Sequence, residues 1–261
     1  MKVITSKENR IYKHCKALSA KKYRDASGEY LVEGDKLVSE ACEAGMAEMV
    51  IVRSGSGKNM DFGNVTAVSI SEMLFDKITH TQTSQGIVAL VRKKVFDEKA
   101  FMSAVAAREG GLGNIVVLDR LQDPGNIGTI IRTADAAGYG GIIAIKGTGD
   151  IYSPKVVRAA AGSVMRMPVY FAGSAMEAVN MLRDNGKTIV GTAFDTDLYY
   201  YDADLSENTA LVIGNEGNGM SEELGRNTDF NVKIPMCGTI DSLNAAVAAG
   251  ILMYQSKGKS L

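Results

Sequence analysis

NIVVLDRLQDPGNIGTIIRTADAAGYGGIIAI, residues 114–145, carries the pattern that decides the fold. NIVVLD (114–119) is almost wholly apolar, as a strand covered on both faces must be. A helix is expected from Asn126 to Ala137, and GGIIAI (140–145) reads as the next strand. The alternation continues through SPKVVRAAAGSV (153–164), MPVYF (167–171), AMEAVNMLRDNG (175–186) and KTIVGTAF (187–194). ALVIGNEG (210–217), VKIPM (232–236) and a long closing helix, DSLNAAVAAGILMYQ (241–255), complete it. Strands that alternate with helices in this way predict a mostly parallel sheet with helices on both faces.

Upstream, a second and smaller α/β layer is expected. A basic helix over about 6–22, ending near Ala20-Lys21-Lys22, precedes EYLVEG (29–34), DKLVSEACEAG (35–45) and MVIVR (49–53). VTAVSI (65–70) and SEMLFDKI (71–78) repeat the strand-then-helix theme, and QGIVALVRKK (85–94) closes it. Residues 95–113 read as a connector that ends in GGLG. The division expected is therefore a small domain over 1–95, a linker over 96–113 and a larger domain over 114–261. A chain of 261 residues has room for two such cores.

Composition narrows the chemistry. The apolar share of 46% and charged share of 23% are those of an ordinary globular protein. No stretch approaches the roughly 20 apolar residues that span a bilayer. The opening MKVITSKENR has no apolar core behind its charges, so a cytoplasmic location is expected. Cys15, Cys42 and Cys237 are widely spaced with no CxxC pair, which suggests neither disulfides nor a zinc site. With only His14 and His80, a histidine metal cluster or a Ser–His–Asp triad is not expected. The net charge of −1 hides an asymmetry: residues 1–95 hold 15 Lys/Arg against 11 Asp/Glu, the remainder 14 against 19. The first 24 residues carry eight basic side chains and one acid, Glu8, which suits contact with a phosphate backbone or a plain solvated face.

The usual nucleotide motifs fail. No G-x-G-x-x-G occurs: Gly217-Asn218-Gly219 has Glu222 where the third glycine belongs, and Gly147-Thr148-Gly149 has Tyr152. Gly186-Lys187-Thr188 resembles the end of a P-loop, but Met181 stands at the first glycine and the segment closes a helix where a P-loop opens one. Three patches remain. In LQDPGNIGTIIR (121–132), Asn126 falls at or near a helix N-terminus and Arg132 almost two turns later, a spacing read as letting both share one face. In IGNEGNGM (213–220), three glycines directly after a buried strand open the backbone to a ligand, and Glu216 favours a cationic or neutral one over a polyphosphate. In the third, Ile234-Pro235-Met236 leaves a strand, Asp241 or Ser242 would cap the last helix, and Asn244 would lie one turn inside it. Capped helices and a tight turn would account for much of each patch alone.

In this order, the three patches closely resemble the signature motifs of the SpoU-type RNA 2′-O-ribose methyltransferases of the SPOUT superfamily. DPGNIGTIIRTADAAG, VIGNEGNGMS and VKIPMCGTIDSLNAAVAAGI each fit along their whole length. NRIYKHCKALSAKKYRDASGEYLVEGDKLVSEA and THTQTSQGIVAL resemble that family's small substrate-binding domain, akin to a ribosomal-protein L30e-like fold. The resemblance implies a trefoil-knotted α/β sheet and a homodimer with active sites at the subunit interface. It implies an S-adenosylmethionine pocket at Gly214, Ile234 and Leu243, with Thr192, Asn215 and Met236 beside it. Arg132 would activate the ribose hydroxyl, and Asn126, Glu216, Ser242 and Asn244 would position it or shape the site. The small domain would bind RNA, favoured as 23S ribosomal RNA, with Lys13, Lys16, Lys21, Lys22 and Arg24 on phosphates and no metal involved. Three alternatives stay open: a SPOUT enzyme acting on a base or on transfer RNA, as a transfer-RNA 2′-O-methyltransferase would, an RNA-binding protein whose site has decayed, and a metabolic α/β enzyme, which leaves the basic arm unexplained.

Overall fold

A computed structural model gives the architecture and describes residues 3–56, 61–81, 83–108, 113–193, 195–237, 239 and 242–258. In chain order the first elements are β1 (Val3–Ile4), α1 (Arg10–Ala17), α2 (Lys21–Ser27), β2 (Glu29–Glu33), α3 (Asp35–Glu43), β3 (Ala47–Arg53), β4 (Ala67–Ile70), α4 (Glu72–Phe75) and β5 (Ile87–Arg92). There follow α5 (Glu98–Ala106), β6 (Ile115–Leu118), α6 (Pro124–Ala136), β7 (Gly141–Ile145), α7 (Pro154–Ala159), α8 (Ser163–Arg166), β8 (Val169–Ala172) and α9 (Ala175–Asp184). The chain ends with β9 (Thr188–Thr192), β10 (Thr209–Ile213), α10 (Glu222–Gly225), β11 (Phe230–Val232) and α11 (Ala245–Gly258). None of the described helices is long and apolar enough to cross a membrane.

Two compact units result: Met1–Lys93 with Asp150–Met165, and Lys94–Gly149 with Arg166–Leu261. The first holds a mixed sheet of order β1-β4-β3-β5-β2, parallel along β1-β4-β3 and antiparallel where β5 meets β3 and β2. Its core gathers Tyr12, Cys15 and Leu18 from the α1 region with Ile51, Ile70, Phe75 and Val88. The basic helix expected over 6–22 is two helices, not one. Asn9 caps α1, its side chain accepting from the amides of Ile11 and Tyr12, and the chain turns at Leu18–Ala20 before α2.

The segment 150–165, expected in the larger domain, packs with the first unit. Tyr152 sets its ring 4.9 Å from that of Tyr30, and Asp150 pairs with Arg24, a side chain only 4% exposed. Local pattern gave no hint, because α7 is amphipathic whichever sheet it covers.

The second unit is a six-stranded, wholly parallel sheet of order β11-β9-β10-β6-β7-β8. Strands β6, β7 and β8 step outward on one side. The chain then crosses to β9, and β10 fills the position between β9 and β6. The order thus reverses beside β10, and in open parallel sheets ligands settle outside the carboxyl ends of the strands at such a reversal.

Residues expected as a linker hold α5, an integral helix of this unit. Phe101 and Val105 are buried in its core with Ile115, Val117 and Ile143. Each such side chain contributes about 2 kcal/mol by leaving water. The Gly140-Gly141 pair makes the docking possible: a Cβ on Gly140 would lie 2.6 Å from Val105 Cγ1, and one on Gly141 2.7 Å from Phe101 Cε2. Residues 109–112, most of the expected GGLG connector, lie outside the described residues.

Candidate active site

At the carboxyl ends of β9, β10 and β11 the second unit opens a cavity of about 570 Å³, within the range of small-molecule sites. Its lining holds Gly214, Asn215, Thr192, Ile234, Met236 and Leu243, every residue expected against the cofactor. Asn126, Glu216, Ser242 and Asn244 line it too. Arg132 does not; it is exposed on α6.

The geometry follows from the chain. Asp123 caps α6, its side chain accepting from the Asn126 amide at 2.8 Å, and Pro124 takes the first turn where no amide hydrogen is needed. The helix therefore starts two residues before Asn126, which sits inside the first turn and is 8% exposed. Six residues at about 100° each fall some 120° short of two full turns. Arg132 thus faces solvent while Asn126 faces inward, and the shared face expected from the sequence does not exist.

Glu216 ties the first two patches together. One carboxylate oxygen accepts from the Asp123 amide at 2.9 Å and from Asn126 Nδ2 at 3.1 Å, and the other accepts from the Gln122 amide at 3.1 Å. Partial burial alone would raise its pKa. The amides of Asp123, Glu216 itself and Gln122, with the Asn126 carboxamide, outweigh that and hold it below the ordinary carboxylate value. Asn126 then passes the connection on, its Oδ1 accepting from Asn244 Nδ2 at 2.8 Å. Asn244 Oδ1 accepts in turn from the amides of Ala246 and Val247. Asn244 is therefore the cap of α11 and not a residue one turn inside it, because the helix starts at Ala245; Asp241 lies outside the described residues.

The glycine loop is held from both sides. Asn215 and Gly219 exchange two backbone hydrogen bonds of 2.9 Å, and Asn215 Oδ1 accepts from the amides of Gly217 and Asn218. Asn215 Nδ2 donates to the Arg120 carbonyl at 2.9 Å. A Cβ on Gly214 would collide with Met220 N and the Gly219 carbonyl carbon, so this glycine serves the close return of its own loop.

Sequence reasoning missed Asp119. Its carboxylate, 1% exposed, accepts from the Ser221 amide at 2.5 Å and pairs with Arg120 Nε at 3.0 Å, fixing the far end of the glycine loop to β6. The signal was available: a lone acid closing an otherwise apolar buried strand needs a dedicated partner. Lys233 was missed as well; it lines the cavity, with its ammonium 4.9 Å from the centre of the Tyr199 ring.

The expected RNA contacts fare unevenly. Arg24 is withdrawn from that role: it is buried, bonded to the Leu18 carbonyl and paired with Asp150. Lys13 pairs with Glu8 and Lys21 with Asp25, whereas Lys16 lies over the Tyr12 ring and Lys22 is exposed.

A six-stranded parallel sheet with a self-returning glycine loop after β10, beside a helix capped from the pocket, agrees with the solved neighbours, and the class is that of the SPOUT methyltransferases. Comparison agrees. Residues 113–254 match the SpoU rRNA methylase family, and residues 9–89 match the MRM3-like substrate binding domain. A Bacillus subtilis protein named 23S rRNA (guanosine(2553)-2′-O)-methyltransferase RlmP is 36% identical over 99% of this chain and all of its own length. The AdoMet-bound rRNA methyltransferase of Sinorhizobium meliloti superposes with a TM-score of 0.87 at 32% identity, covering 100% of this chain and 98% of its own. The SpoU methyltransferase AviRb of Streptomyces viridochromogenes, solved with AdoMet, gives 0.82 at 30% identity, covering 97% and 99%. The chain belongs to the SpoU rRNA methylase family, and its activity is S-adenosylmethionine-dependent methylation of an RNA ribose 2′-hydroxyl.

The cavity suits that donor. Ile213, Val232, Ile234, Leu243 and Ala248 give an apolar wall for a purine, while the loop backbone supplies polar groups. Glu216 places a negative charge on the lining. Among the described residues no group of three or more His, Cys, Asp or Glu is placed to hold a metal ion.

Proposed function

We propose that this enzyme methylates a ribose of 23S ribosomal RNA in the cytoplasm as a homodimer, using the cavity of the second unit. The observation that carries the site assignment is the relay Glu216–Asn126–Asn244, which binds all three loops around one cavity. The substrate rests on the end-to-end likeness to the Bacillus subtilis enzyme and on the matched substrate-binding domain.

S-adenosylmethionine, when bound, supplies an electrophilic methyl group and its own leaving group. The backbone at Gly214, Ile234 and Leu243 holds it, with Thr192, Asn215 and Met236 alongside. The chain's remaining task is to aim and sharpen a ribose hydroxyl, a poor nucleophile until its proton is shared. Ser242 and Asn244, at the rim where α11 begins, orient that hydroxyl. Arg132 supplies positive charge; a guanidinium already carries its proton and is a poor base, so it orients the hydroxyl and its neighbouring phosphate, which accepts the proton.

The dimer reading rests on α11, which packs on α6 and leaves Val247 and Tyr254 exposed. Arg132, exposed on α6 and outside the cavity of its own chain, is on this reading supplied to the cavity of the partner.

The test is transfer of labelled methyl to total RNA, with products sized and digested to nucleosides. Label in a 2′-O-methyl nucleoside of 23S ribosomal RNA is expected. Label in transfer RNA overturns the substrate. No label on any RNA, including RNA from cells lacking the gene, supports the decayed-site alternative. Arg132→Ala is expected to fold and dimerise but lose about two decades of rate.

A further inference from the structure

The first unit has an open cleft of about 490 Å³ that nothing above explains. Lys7, Lys13, Lys16 and Lys77 line it with Tyr12 and Tyr23. Glu8, the one acid in the lining, is already paired with Lys13. Lys7, Lys16 and Lys77 meet no carboxylate among the described residues, so the cleft carries unneutralised positive charge.

A further feature separates it from a solvated lysine face. Tyr23 is 52% exposed, a large ring left in water on the same wall. A surface that served only solubility would not need it.

We propose that this cleft receives one unpaired nucleotide of the RNA substrate. Its phosphate lies among Lys7, Lys16 and Lys77, and its base stacks on Tyr23. Lysines match phosphate as point charges, and unpaired bases are read by stacking on aromatic rings. The site lies outside the methyl-transfer cavity, so it selects and holds RNA and takes no part in the chemistry. The inference rests on the reading of RNA as substrate, and it moves the docking role from Lys21, Lys22 and Arg24 to residues inside the cleft.

The test uses the full-length chain and protein-free 23S ribosomal RNA, with binding measured at several potassium chloride concentrations beside methyl transfer. Replacing Lys7, Lys16 and Lys77 together by Ala should flatten the slope of log K against log salt by about 0.7–0.9, the share of the one phosphate they no longer neutralise. Tyr23→Ala should weaken binding roughly fivefold or more, and Tyr23→Trp should restore it. S-adenosylmethionine affinity should stay constant throughout. If the wild type methylates RNA and these variants bind it equally well at every salt concentration, the cleft is overturned and the activity stands. Lysine variants that weaken binding while Tyr23→Ala does not would mark a plain electrostatic patch and also overturn it. Binding that responds as expected, without methyl transfer to any RNA, keeps the cleft and overturns the substrate reading. No RNA binding by the wild type overturns both.

Discussion

Glu216 receives three donors from the turn that opens α6, and this decides what it does. An acid so engaged pins a loop first, and any pull on a sulfonium comes second. Glu216→Gln keeps the shape but turns one oxygen into an amide that confronts the donors at Gln122, Asp123 or Asn126. The variant should fold and lose S-adenosylmethionine affinity by an order of magnitude in calorimetric titration. The same hydrogen bonds hold the carboxyl below its ordinary value, so the stabilisation is present above about pH 4.3 and is lost as pH falls through the lower folded-state pKa. Melting temperature should therefore fall more steeply in the wild type than in Glu216→Gln when pH drops below that range. At this scale the sequence was readable where a residue type has one use. Asn126, Glu216 and Asn244 stood out because neither packing nor capping exhausts them. Arg24 misled, since a charge count near a basic arm cannot show that Asp150, 126 positions on, waits in the fold.

Helix starts decide the site at the scale of elements. Asn244 does two jobs at once, capping α11 through Oδ1 and meeting Asn126 through Nδ2. Asn244→Asp separates them: aspartate caps as well as asparagine but offers no donor to Asn126. Helix content should persist by circular dichroism while cofactor affinity drops, whereas Asn244→Ala should lose both, with about 1 kcal/mol of stability from the cap. The sequence displaced this cap because Asp241, Ser242 and Asn244 are all good capping residues, and only the contact with Asn126 selects among them. Gly214→Ala tests the neighbouring loop. Its Cβ would strike backbone at Gly219 and Met220, so the loop must open, while β10 stays buried between β9 and β6. Expected is a folded protein with no measurable cofactor binding; retained binding would refute the account of the loop.

Over the whole molecule, the alternation of strands and helices made the two α/β layers legible, but not which layer each helix joins. α5 and α7 have ordinary amphipathic patterns. The partners that place them, Gly140-Gly141 in one case and Tyr30 with Arg24 in the other, are distant in sequence. Arg132 poses the same problem one level up, since it is exposed and outside the cavity of its own chain. If Arg132 serves the partner's cavity, two inactive chains should rescue one another. Protomers carrying Arg132→Ala keep an intact pocket, and protomers carrying Gly214→Ala keep the arginine. Random mixing makes half the dimers mixed, each with one complete site, so activity should recover to about a quarter of the wild-type value. An arginine acting within its own chain predicts none, because one pocket then lacks the guanidinium and the other lacks the cofactor. Exchange of subunits, checked by mass photometry of differently sized tagged chains, makes a negative result decisive against action across the dimer.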